Sequence, residues 1–442
     1  MKIKPAKRLE GTIDLPGDKS ISHRAALFSA MTTGAARIEN FATSADCAST
    51  LQCLLDLGVK IRRDNQTIFI EGVGKNGFRQ PSKNLDCGNS GTTVRLLSGI
   101  LAAQNFDSVL IGDESLSKRP MRRVIEPLTQ MSAHIEAAEN RLPMTIRGTN
   151  PLRAISYQLP VASAQVKSCV LLAGLNAEGK TTVINPPSKN RIVTSRNHTE
   201  LMLRYLGADL RENFVESENG FVQEITIDGA SLLEARDLSV PSDISSAAFF
   251  IVAAACLPDS EIVLRNVGLN PTRTAILEVL RNCGAHVDIL DEREISNEKI
   301  GDIRATGSES FAPRAGAHVI DGEIVANLID EIPILAVFGT QLETGLEIRD
   351  AAELRVKESD RIAAVVENLR RMNASVEEFP DGLRVEKSDL KAARIDSFGD
   401  HRIAMAFSVA ALFASGETEI SGAECAAVSF PEFYEVLSAV TK

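Results

Sequence analysis

The 442-residue chain has no tryptophan, and aromatic residues make up only 5% of it. Its apolar residues, 44% of the chain, are therefore mostly small or aliphatic, a composition that suits closely packed helices. No apolar run reaches the roughly 20 residues of a membrane-spanning helix, since the longest covers residues 247–257. The charged amino-terminal segment has no signal-peptide hydrophobic region, so we expect a cytoplasmic protein without a membrane partner.

The chain also lacks an excess of positive charge. Its 48 Lys and Arg residues face 59 Asp and Glu residues, for a net charge of −11. This balance argues against a nucleic-acid-binding protein that relies on general attraction to phosphates. Small anionic ligands remain compatible, because local basic clusters can oppose the overall charge. The seven cysteines are dispersed without a C-x-x-C pair, which indicates a reducing compartment and argues against disulfide or zinc sites.

One pattern recurs six times along the chain. In each copy a polar stretch opens a helical apolar run, and a short turn leads into a strand rich in β-branched residues. The polar stretches begin near Gly17, Gly88, Ala162, Pro241, Ile329 and Gly399. A second amphipathic helix with a small-residue break before a strand lies between them, as at residues 54–61, 201–210 and 279–287. The repeats predict an α/β protein built of six subdomains in two groups of three.

Proline-containing segments near residues 16–19 and 238–243 predict where the chain crosses between the two groups. Residues 1–18 plus 240–442 would then form one domain, and residues 19–239 the other. We expect a ligand in the cleft between two such domains, a common location for binding pockets. The alternative is a single continuous sheet in which the prolines are incidental.

Residues 174–181 match the P-loop pattern G-x-x-x-x-G-K-[ST]. A P-loop needs a strand before it and a helix after it. Here residues 162–175 favour a helix, and the β-branched residues 181–184 favour a strand. The match is therefore interpreted as a helix-to-strand turn and not as a nucleotide site.

The polar helix starts are candidate anion sites, because such starts offer free backbone N–H groups and the positive end of the helix dipole. The first adds the cations Lys19 and Arg24 with the hydroxyl of Ser20, and the second adds glycines and Asn89. Residues 117–123 then place four cations beside a proline. Capped helices with solvated charges are the competing interpretation.

Cations and carboxylates occur together at residues 354–361 and 400–402. Lys357 and the adjacent Glu358 can supply an acid and a base in a site that excludes water. A salt-bridge network at a helix start, formed by Lys357, Asp360 and Arg361, explains the same residues.

Six motifs, in order across nearly the whole chain, together resemble the family of 5-enolpyruvylshikimate-3-phosphate synthases, or 3-phosphoshikimate 1-carboxyvinyltransferases. They are GDKSISHR at residues 17–24, GNSGT at 88–92, KRPM at 118–121, RVKESDR at 355–361, DHRIAM at 400–405 and SFPEF at 429–433. The resemblance implies the enolpyruvyl transferase fold, an α/β fold of two similar domains. Each domain has three βαβαββ units and resembles an inverse α/β barrel.

The resemblance also implies an activity. It is the transfer of the carboxyvinyl group of phosphoenolpyruvate to the 5-hydroxyl of shikimate 3-phosphate, with release of phosphate, in chorismate and aromatic amino-acid biosynthesis. The family is the target of the herbicide glyphosate. Residues 19–239 would form the shikimate 3-phosphate side, and residues 1–18 plus 240–442 the phosphoenolpyruvate side. The two substrates would be the only partners of a monomer, and neither a metal nor an organic cofactor is implied.

The resemblance assigns site residues by motif. The catalytic groups would be Lys19, Asp330, Lys357 and Glu358. The residues that bind shikimate 3-phosphate would be Lys19, Ser20, Arg24, Ser163, Ala164, Gln165, Arg196, Asp330 and Lys357. The residues that bind phosphoenolpyruvate would be Lys19, Asn89, Gly91, Arg119, Gln165, Arg361 and Arg402. Asp330 and Lys357 would handle the proton of the 5-hydroxyl, and Glu358 the protons of the phosphoenolpyruvate methylene.

Three departures from the pattern of many bacterial and plant members resemble the divergent second class of the family. They are Ala164, residues 196–198, and Val428, which stands where those members have Lys. A phosphoenolpyruvate contact through Val428 is therefore not expected. Gly91 leaves room beside phosphoenolpyruvate, so glyphosate is not sterically barred there.

Two other functions are weighed against this one. UDP-N-acetylglucosamine enolpyruvyl transferase resembles the same fold but has a loop cysteine that is missing from residues 112–121. A noncatalytic anion-binding protein would not need the acid-base set of Asp330, Lys357 and Glu358.

Overall fold

The computed structural model describes residues 1–189 and 195–442. The predicted site residue Arg196 lies among the described residues, whereas Thr194, two residues before it, lies outside them.

The described chain divides into two compact domains, each with its own hydrophobic core. Domain A consists of residues 17–240 and 295–298. Domain B consists of residues 1–16, 241–294 and 299–442. The assignment of one substrate side to each domain stays a prediction.

Each domain contains three copies of one β-α-β-α-β-β repeat. In a complete repeat the first strand pairs parallel with the second, and the last two strands extend the sheet by antiparallel pairing, in the spatial order 1-2-4-3. Five of the sheets have four strands, and the sheet of the last repeat has three. The predicted α/β fold of six repeated subdomains is confirmed.

The repeats of domain A have these elements. The first contains helices Lys19–Ala30 and Ala45–Asp56 and strands Leu238–Ser239, Thr33–Glu39, Lys60–Asp64 and Thr67–Val73. The second contains strands Leu85–Asp86, Asp107–Ile111, His134–Ala137 and Met144–Arg147 and helices Gly91–Leu101, Glu114–Ser117, Arg122–Gln130 and the 3-10 turn Ala138–Asn140. The third contains strands Ser156–Gln158, Lys180–Ile184, Leu210–Ser217 and Gly220–Asp228 and helices Ala164–Gly174 and His198–Tyr205. A two-stranded parallel ribbon pairs Leu152–Arg153 with Ala177–Glu178.

The repeats of domain B follow the same plan. The first contains strands Glu10–Asp14, Glu261–Gly268, His286–Ile295 and Glu298–Thr306 and helices Ile244–Cys256 and Ala275–Asn282. The second contains strands Val319–Ile320, Leu346–Ile348, Val376–Phe379 and Gly382–Val385, helices Val325–Leu328, Ile332–Gly339 and Arg361–Arg371, and the 3-10 turns Gly322–Ile324 and Ala352–Val356. The third contains strands Arg394–Asp396, Thr418–Ser421 and Lys2–Ile3, helices His401–Leu412 and Phe433–Val440, and the 3-10 turn Ala423–Val428.

The first strand of one repeat in each domain comes from a distant part of the chain. In domain A, Leu238–Ser239 pairs parallel with Thr33–Glu39. In domain B, Glu10–Asp14 pairs parallel with Glu261–Gly268. The amino-terminal segment and the segment before residue 241 therefore each complete a sheet whose remaining strands lie elsewhere in the sequence.

The first long helix of each repeat lies inside its domain, with the sheets outside. All 13 residues of Ile244–Cys256 and all 12 of His401–Leu412 are buried, as expected for helices that are apolar on nearly every side beyond a polar first turn. Small residues allow these helices to approach closely. A Cβ on Gly99 would lie 2.2 Å from the carbonyl oxygen of Cys169 on a neighbouring helix, so only glycine fits there.

The segment that matches a P-loop joins the end of helix Ala164–Gly174 to strand Lys180–Ile184. A helix followed by a strand is the reverse of the P-loop order. The interpretation of residues 174–181 as a turn is therefore confirmed. Across residues 1–189 and 195–442, no helix combines the length and apolar character needed to cross a membrane.

Candidate active site

The six predicted polar stretches all lie at the amino-terminal ends of buried helices. Five of these helices are capped by a side chain that accepts a hydrogen bond from a backbone N–H of the first turn. The capping residues are Asp18, Ser90, Ser163, Asp243 and Asp400. The sixth helix, Ile332–Gly339, follows Glu331, which makes no such capping bond. A cap satisfies one of the four orphan N–H groups at a helix start, so the helix ends keep donors for an anion.

Lys19 begins the first buried helix of domain A and pairs with Asp46 over a distance of 2.9 Å between Nζ and Oδ2. Both side chains are largely buried, at 18% and 10% exposure. Asp46 lies in the first turn of the next helix, Ala45–Asp56, so the pair connects two helix starts. Sequence reasoning found Lys19 but missed Asp46, because acidic residues are common in the first turn of any helix.

Arg24 is buried and connects the first repeat of domain A with the third. Its Nε donates to Thr199 Oγ1 at 2.7 Å, and its Nη2 donates to Ser168 Oγ at 2.9 Å. Its Nη1 donates to the carbonyl oxygen of Ser20 at 2.9 Å. Burial lowers the pKa of Arg24 to about 10, and the charge of Arg196 contributes in the same direction. The predicted residues Ser20, Arg24 and Arg196 therefore share one neighbourhood.

The glycine-rich helix start of the second repeat holds two arginines and an amide. Arg119 Nη2 donates to Asn89 Oδ1 at 2.8 Å, and Asn89 Nδ2 donates to Asp113 Oδ2 at 2.6 Å. A Cβ on Gly91 would lie 2.9 Å from Arg95 Nη1 and 3.3 Å from Arg119 Nη1. The missing side chain thus lets both guanidinium groups approach the helix start.

Gln165 connects the third repeat of domain A back to the second. Ser163 caps the helix that begins at Ala164, and Gln165 lies in its first turn. Its Oε1 accepts from Arg95 Nη1 at 2.5 Å, and its Nε2 donates to Thr92 Oγ1 at 2.9 Å. Arg95 therefore lies close both to Gln165 and to Gly91, two predicted site residues of domain A.

Lys167 and Glu200 form an ion pair that sequence reasoning missed. Their Nζ and Oε1 atoms are 2.5 Å apart, and both side chains are 0% exposed. Lys167 Nζ also donates to the carbonyl oxygen of Ser195 at 3.4 Å, directly before Arg196. Lys167 therefore holds the segment that carries Arg196, a predicted shikimate 3-phosphate-binding residue. The available signal was a lysine within an otherwise apolar helical run.

Arg361 is the centre of a carboxylate cluster in domain B. Arg361 is the first residue of the helix Arg361–Arg371, and its side chain is 1% exposed. Its guanidinium lies 2.6 Å from Glu358 Oε2, 2.8 Å from Asp400 Oδ2 and 3.4 Å from Asp330 Oδ1. Burial acts to lower the pKa of Arg361, but the three carboxylates outweigh it and raise that pKa above its ordinary value.

Asp400 and Arg402 complete this cluster. Burial acts to raise the pKa of Asp400, but Arg361 and His401 outweigh it and hold that pKa below its ordinary value. Arg402 Nη1 donates to the carbonyl oxygen of Asp330 at 2.9 Å, and its Nη2 lies 3.6 Å from Asp330 Oδ2. The predicted residues brought together here are Asp330, Glu358, Arg361 and Arg402.

Lys357 Nζ donates to Glu353 Oε1 at 2.8 Å, and the lysine side chain is 24% exposed. The alternative salt-bridge reading is partly right, because Asp360 does pair with a cation at this helix start. That cation is Arg355, at 2.9 Å, while Asp360 also caps the helix by accepting from Ala363 N. Within the described parts of the chain, no group of three His, Cys, Asp or Glu side chains is arranged to hold a metal ion.

Known proteins resemble this chain in sequence over nearly its whole length. The sequence model of the family described as EPSP synthase (3-phosphoshikimate 1-carboxyvinyltransferase) matches residues 3–437. A 3-phosphoshikimate 1-carboxyvinyltransferase from Solibacter usitatus is 52% identical, over 100% of this chain and 99% of the relative. One from Brevibacillus brevis is 44% identical, over 100% of both chains.

Solved structures resemble the fold as well. An EPSP synthase from Acinetobacter baumannii has a TM-score of 0.86 at 41% identity and covers 100% of this chain and 98% of its own. The enolpyruvyl transferase NikO from Streptomyces tendae, at 17% identity, has a TM-score of 0.77 over 99% and 96% of the two chains, and shares the fold. The family match and the full-length relatives together establish that this chain belongs to the EPSP synthase family.

Proposed function

We propose that this chain transfers the carboxyvinyl group of phosphoenolpyruvate to the 5-hydroxyl of shikimate 3-phosphate and releases phosphate. The family match over residues 3–437 and the names of the full-length relatives support this reaction. The single structural observation that most supports an active site here is the buried Arg361, which pairs with three carboxylates. They are Asp330, Glu358 and Asp400. It combines a fixed cation with groups able to transfer protons.

The first requirement of this reaction is to hold two anions that repel each other. In domain A, Lys19, Ser20, Arg24 and Arg196 are proposed to bind shikimate 3-phosphate, together with Ser163, Ala164 and Gln165. Helix starts and cations are suited to phosphate, because they present N–H donors and positive charge without reorganisation. A single well-aimed donor in a site of low dielectric contributes about 3 kcal/mol to the transition state.

Phosphoenolpyruvate is proposed to contact a second set of residues. In domain A this set comprises Lys19, Asn89, Gly91, Arg119 and Gln165. In domain B it comprises Arg361 and Arg402. Guanidinium groups bind carboxylate and phosphate oxygens with two parallel hydrogen bonds, which supports arginine in this role.

Proton transfer is the second requirement. Glu358 is proposed to protonate the methylene carbon of phosphoenolpyruvate while the 5-hydroxyl oxygen bonds to the neighbouring carbon. The hydroxyl proton is proposed to pass to one of two groups, Asp330 or Lys357. In the resulting adduct the bond between the tetrahedral carbon and the phosphate oxygen then breaks, and phosphate leaves with the electron pair of that bond. A proton of the new methyl group passes to a base, which forms the carbon–carbon double bond of the product. One carboxylate can serve in both directions because it is an acid in the first step and a base in the second.

The setting of the reaction is also proposed. The seven cysteines are all free thiols in the described chain, which supports a reducing, cytoplasmic location. We expect a monomer whose partners are the two substrates, and sedimentation velocity of the purified protein measures that state. A concentration-dependent dimer would contradict it.

The experiment that tests the reaction is an omission series with purified protein. Phosphate and the enolpyruvyl ether product are measured with both substrates, with each substrate alone, and with UDP-N-acetylglucosamine in place of shikimate 3-phosphate. Equal amounts of phosphate and ether, formed only with phosphoenolpyruvate and shikimate 3-phosphate together, are the expected result. Phosphate release from phosphoenolpyruvate alone, or product with the sugar nucleotide, would refute the proposal.

A further inference from the structure

Glu331 differs from the residues that precede the other five buried helices. Those residues cap their own helix, whereas the Glu331 carboxylate makes no such bond and contacts side chains of other helices. Ser245 Oγ donates a short hydrogen bond to Glu331 Oε1, and Arg402 Nη1 lies 4.0 Å from the same oxygen. The residue is 1% exposed. Because burying an unpaired carboxylate is costly, the contacts that Glu331 makes with other side chains must offset the cost of its burial.

Ser245 is itself held in one orientation. Its backbone N–H donates to Asp243 Oδ1 at 2.8 Å, and its Oγ accepts from Arg273 Nη2 at 2.8 Å. Arg273 is 2% exposed and also lies 3.5 Å from Asp243 Oδ1. A hydroxyl group has one proton to donate. Because the Ser245 oxygen accepts a hydrogen bond from Arg273, the hydroxyl proton of Ser245 is free to be donated to Glu331.

The other end of this chain of contacts is Arg402. One of its nitrogens faces Glu331, and the same nitrogen donates to the carbonyl oxygen of Asp330. Its second terminal nitrogen faces the Asp330 carboxylate at 3.6 Å. Arg402 thus lies between a carboxylate that is fully buried and one that is 16% exposed.

We propose that Arg273, Ser245 and Glu331 form a positioning relay that fixes the Arg402 guanidinium for phosphoenolpyruvate, an inference that rests on the proposed function. Glu331 supplies negative charge behind Arg402, and Ser245 with Arg273 keeps that carboxylate from turning to its own helix start. The relay residues do not touch substrate. Truncating one partner of such a charged hydrogen-bond network changes the orientation of the rest.

The test variant is Glu331→Gln, which keeps the shape and the acceptor for Ser245 but removes the charge that faces Arg402. We expect the KM for phosphoenolpyruvate to rise roughly 10- to 100-fold, because the lost attraction acts between two buried charges 4.0 Å apart. The KM for shikimate 3-phosphate should change much less. Glu343→Gln, at an exposed carboxylate of domain B paired with Lys387, is the matched control and should change neither constant.

Ser245→Ala provides a second variant that removes one hydroxyl and no charge. It should raise the KM for phosphoenolpyruvate in the same direction, and the double variant with Glu331→Gln should show less than the sum of the two effects. If Glu331→Gln fails to fold, the KM of the Ser245→Ala variant for phosphoenolpyruvate tests the relay instead. A folded Ser245→Ala protein with an unchanged KM for phosphoenolpyruvate would overturn the relay.

Equal increases for both substrates, or a lower thermal midpoint with unchanged kinetics, would show a structural role and would also overturn it. Failure of the relay and failure of the proposed function are distinguishable. Wild-type protein that makes no product refutes the function and the relay together. Active wild-type protein with unaltered variants refutes the relay alone.

Discussion

Glu358 lies in the bend three residues before Arg361, which begins its helix, and the two form a direct ion pair, with 2.6 Å between Oε2 and Nη2. The same guanidinium binds Asp400 and Asp330, so its charge is shared among three carboxylates. Glu358 is 21% exposed, whereas Arg361 is 1% exposed and Asp400 is fully buried. Glu358 is therefore held in place by a buried cation while remaining within reach of a ligand.

Replacing Glu358 with Gln should lower turnover by roughly 10²- to 10⁴-fold, the usual contribution of general acid-base catalysis. The amide keeps the size of the side chain, so dissociation constants for both substrates should change less than turnover does. Steady-state kinetics and equilibrium binding measure the two effects. Glu367→Gln, at a carboxylate that is 50% exposed on the helix of Arg361, is the control. Unchanged turnover in Glu358→Gln would exclude it from proton transfer.

Replacing Gly91 with Ala should weaken phosphoenolpyruvate binding. The added methyl group would lie 2.9 Å from Arg95 Nη1 and 3.3 Å from Arg119 Nη1, so both side chains must shift. We expect the KM for phosphoenolpyruvate to rise about 10-fold or more, as for one methyl group too many in a fitted site. The control is Gly268→Ala, where the new methyl would meet its nearest atom at an ordinary 3.4 Å. An unaltered KM in Gly91→Ala would remove this position from the site.

Replacing Lys167 with Met should destabilise the protein by about 3–5 kcal/mol, because Glu200 would remain buried without its cation. Replacing both residues with Met should restore most of the loss, since no uncompensated charge remains. Urea unfolding of the two single variants and the double variant measures the coupling. Lys118→Met, which removes an exposed pair with Glu114, should change stability little. Additive losses in the double variant would contradict this account.

Stability should fall as the pH drops below about 6.5 because of His23. This side chain is buried with its Nδ1 2.7 Å from Thr50 Oγ1, and burial, followed by the charges of Lys19 and Arg24, lowers its pKa well below 6.5. Below pH 6.5 this histidine is protonated in the unfolded chain but stays neutral in the folded chain. Acid therefore favours unfolding. One such histidine contributes up to about 1.4 kcal/mol per pH unit.

The variant that isolates this effect is His23→Asn, which can retain a hydrogen bond to Thr50 but does not titrate. Unfolding free energies measured at pH 7 and pH 5 should differ less in His23→Asn than in the wild-type protein. His134→Asn, at a side chain that is 64% exposed, is the control and should keep the wild-type dependence. An identical pH dependence in His23→Asn and wild type would assign the acid sensitivity to other groups.

The repeats and the helix starts were predictable because their signals are local. An apolar run with a polar opening, as at residues 17–30, predicts a buried helix from a short window of sequence. The reverse order of helix and strand around residues 174–181 likewise excluded a P-loop. Most proposed site residues lie at such helix starts, so their positions along the chain followed from the same pattern.

The partners of those residues were not predictable, because they come from other helices and in some cases from other repeats. Arg24 bonds to Thr199, which is 175 residues away in sequence, and Lys19 pairs with Asp46 across two helices. Glu331 gave no sequence signal for binding Ser245 instead of capping its own helix. Such contacts are set by how the repeats pack within a domain, which no local pattern records.

The most direct test of the proposed chemistry is the reaction run in deuterium oxide, with the enolpyruvyl product analysed by mass spectrometry. Protonation of the phosphoenolpyruvate methylene in the adduct makes a methyl group with one deuteron, and the later loss of a proton leaves deuterium in the product. The account predicts product with deuterium at its methylene carbon, formed far more slowly by Glu358→Gln. Product free of deuterium at full conversion would contradict an addition followed by elimination.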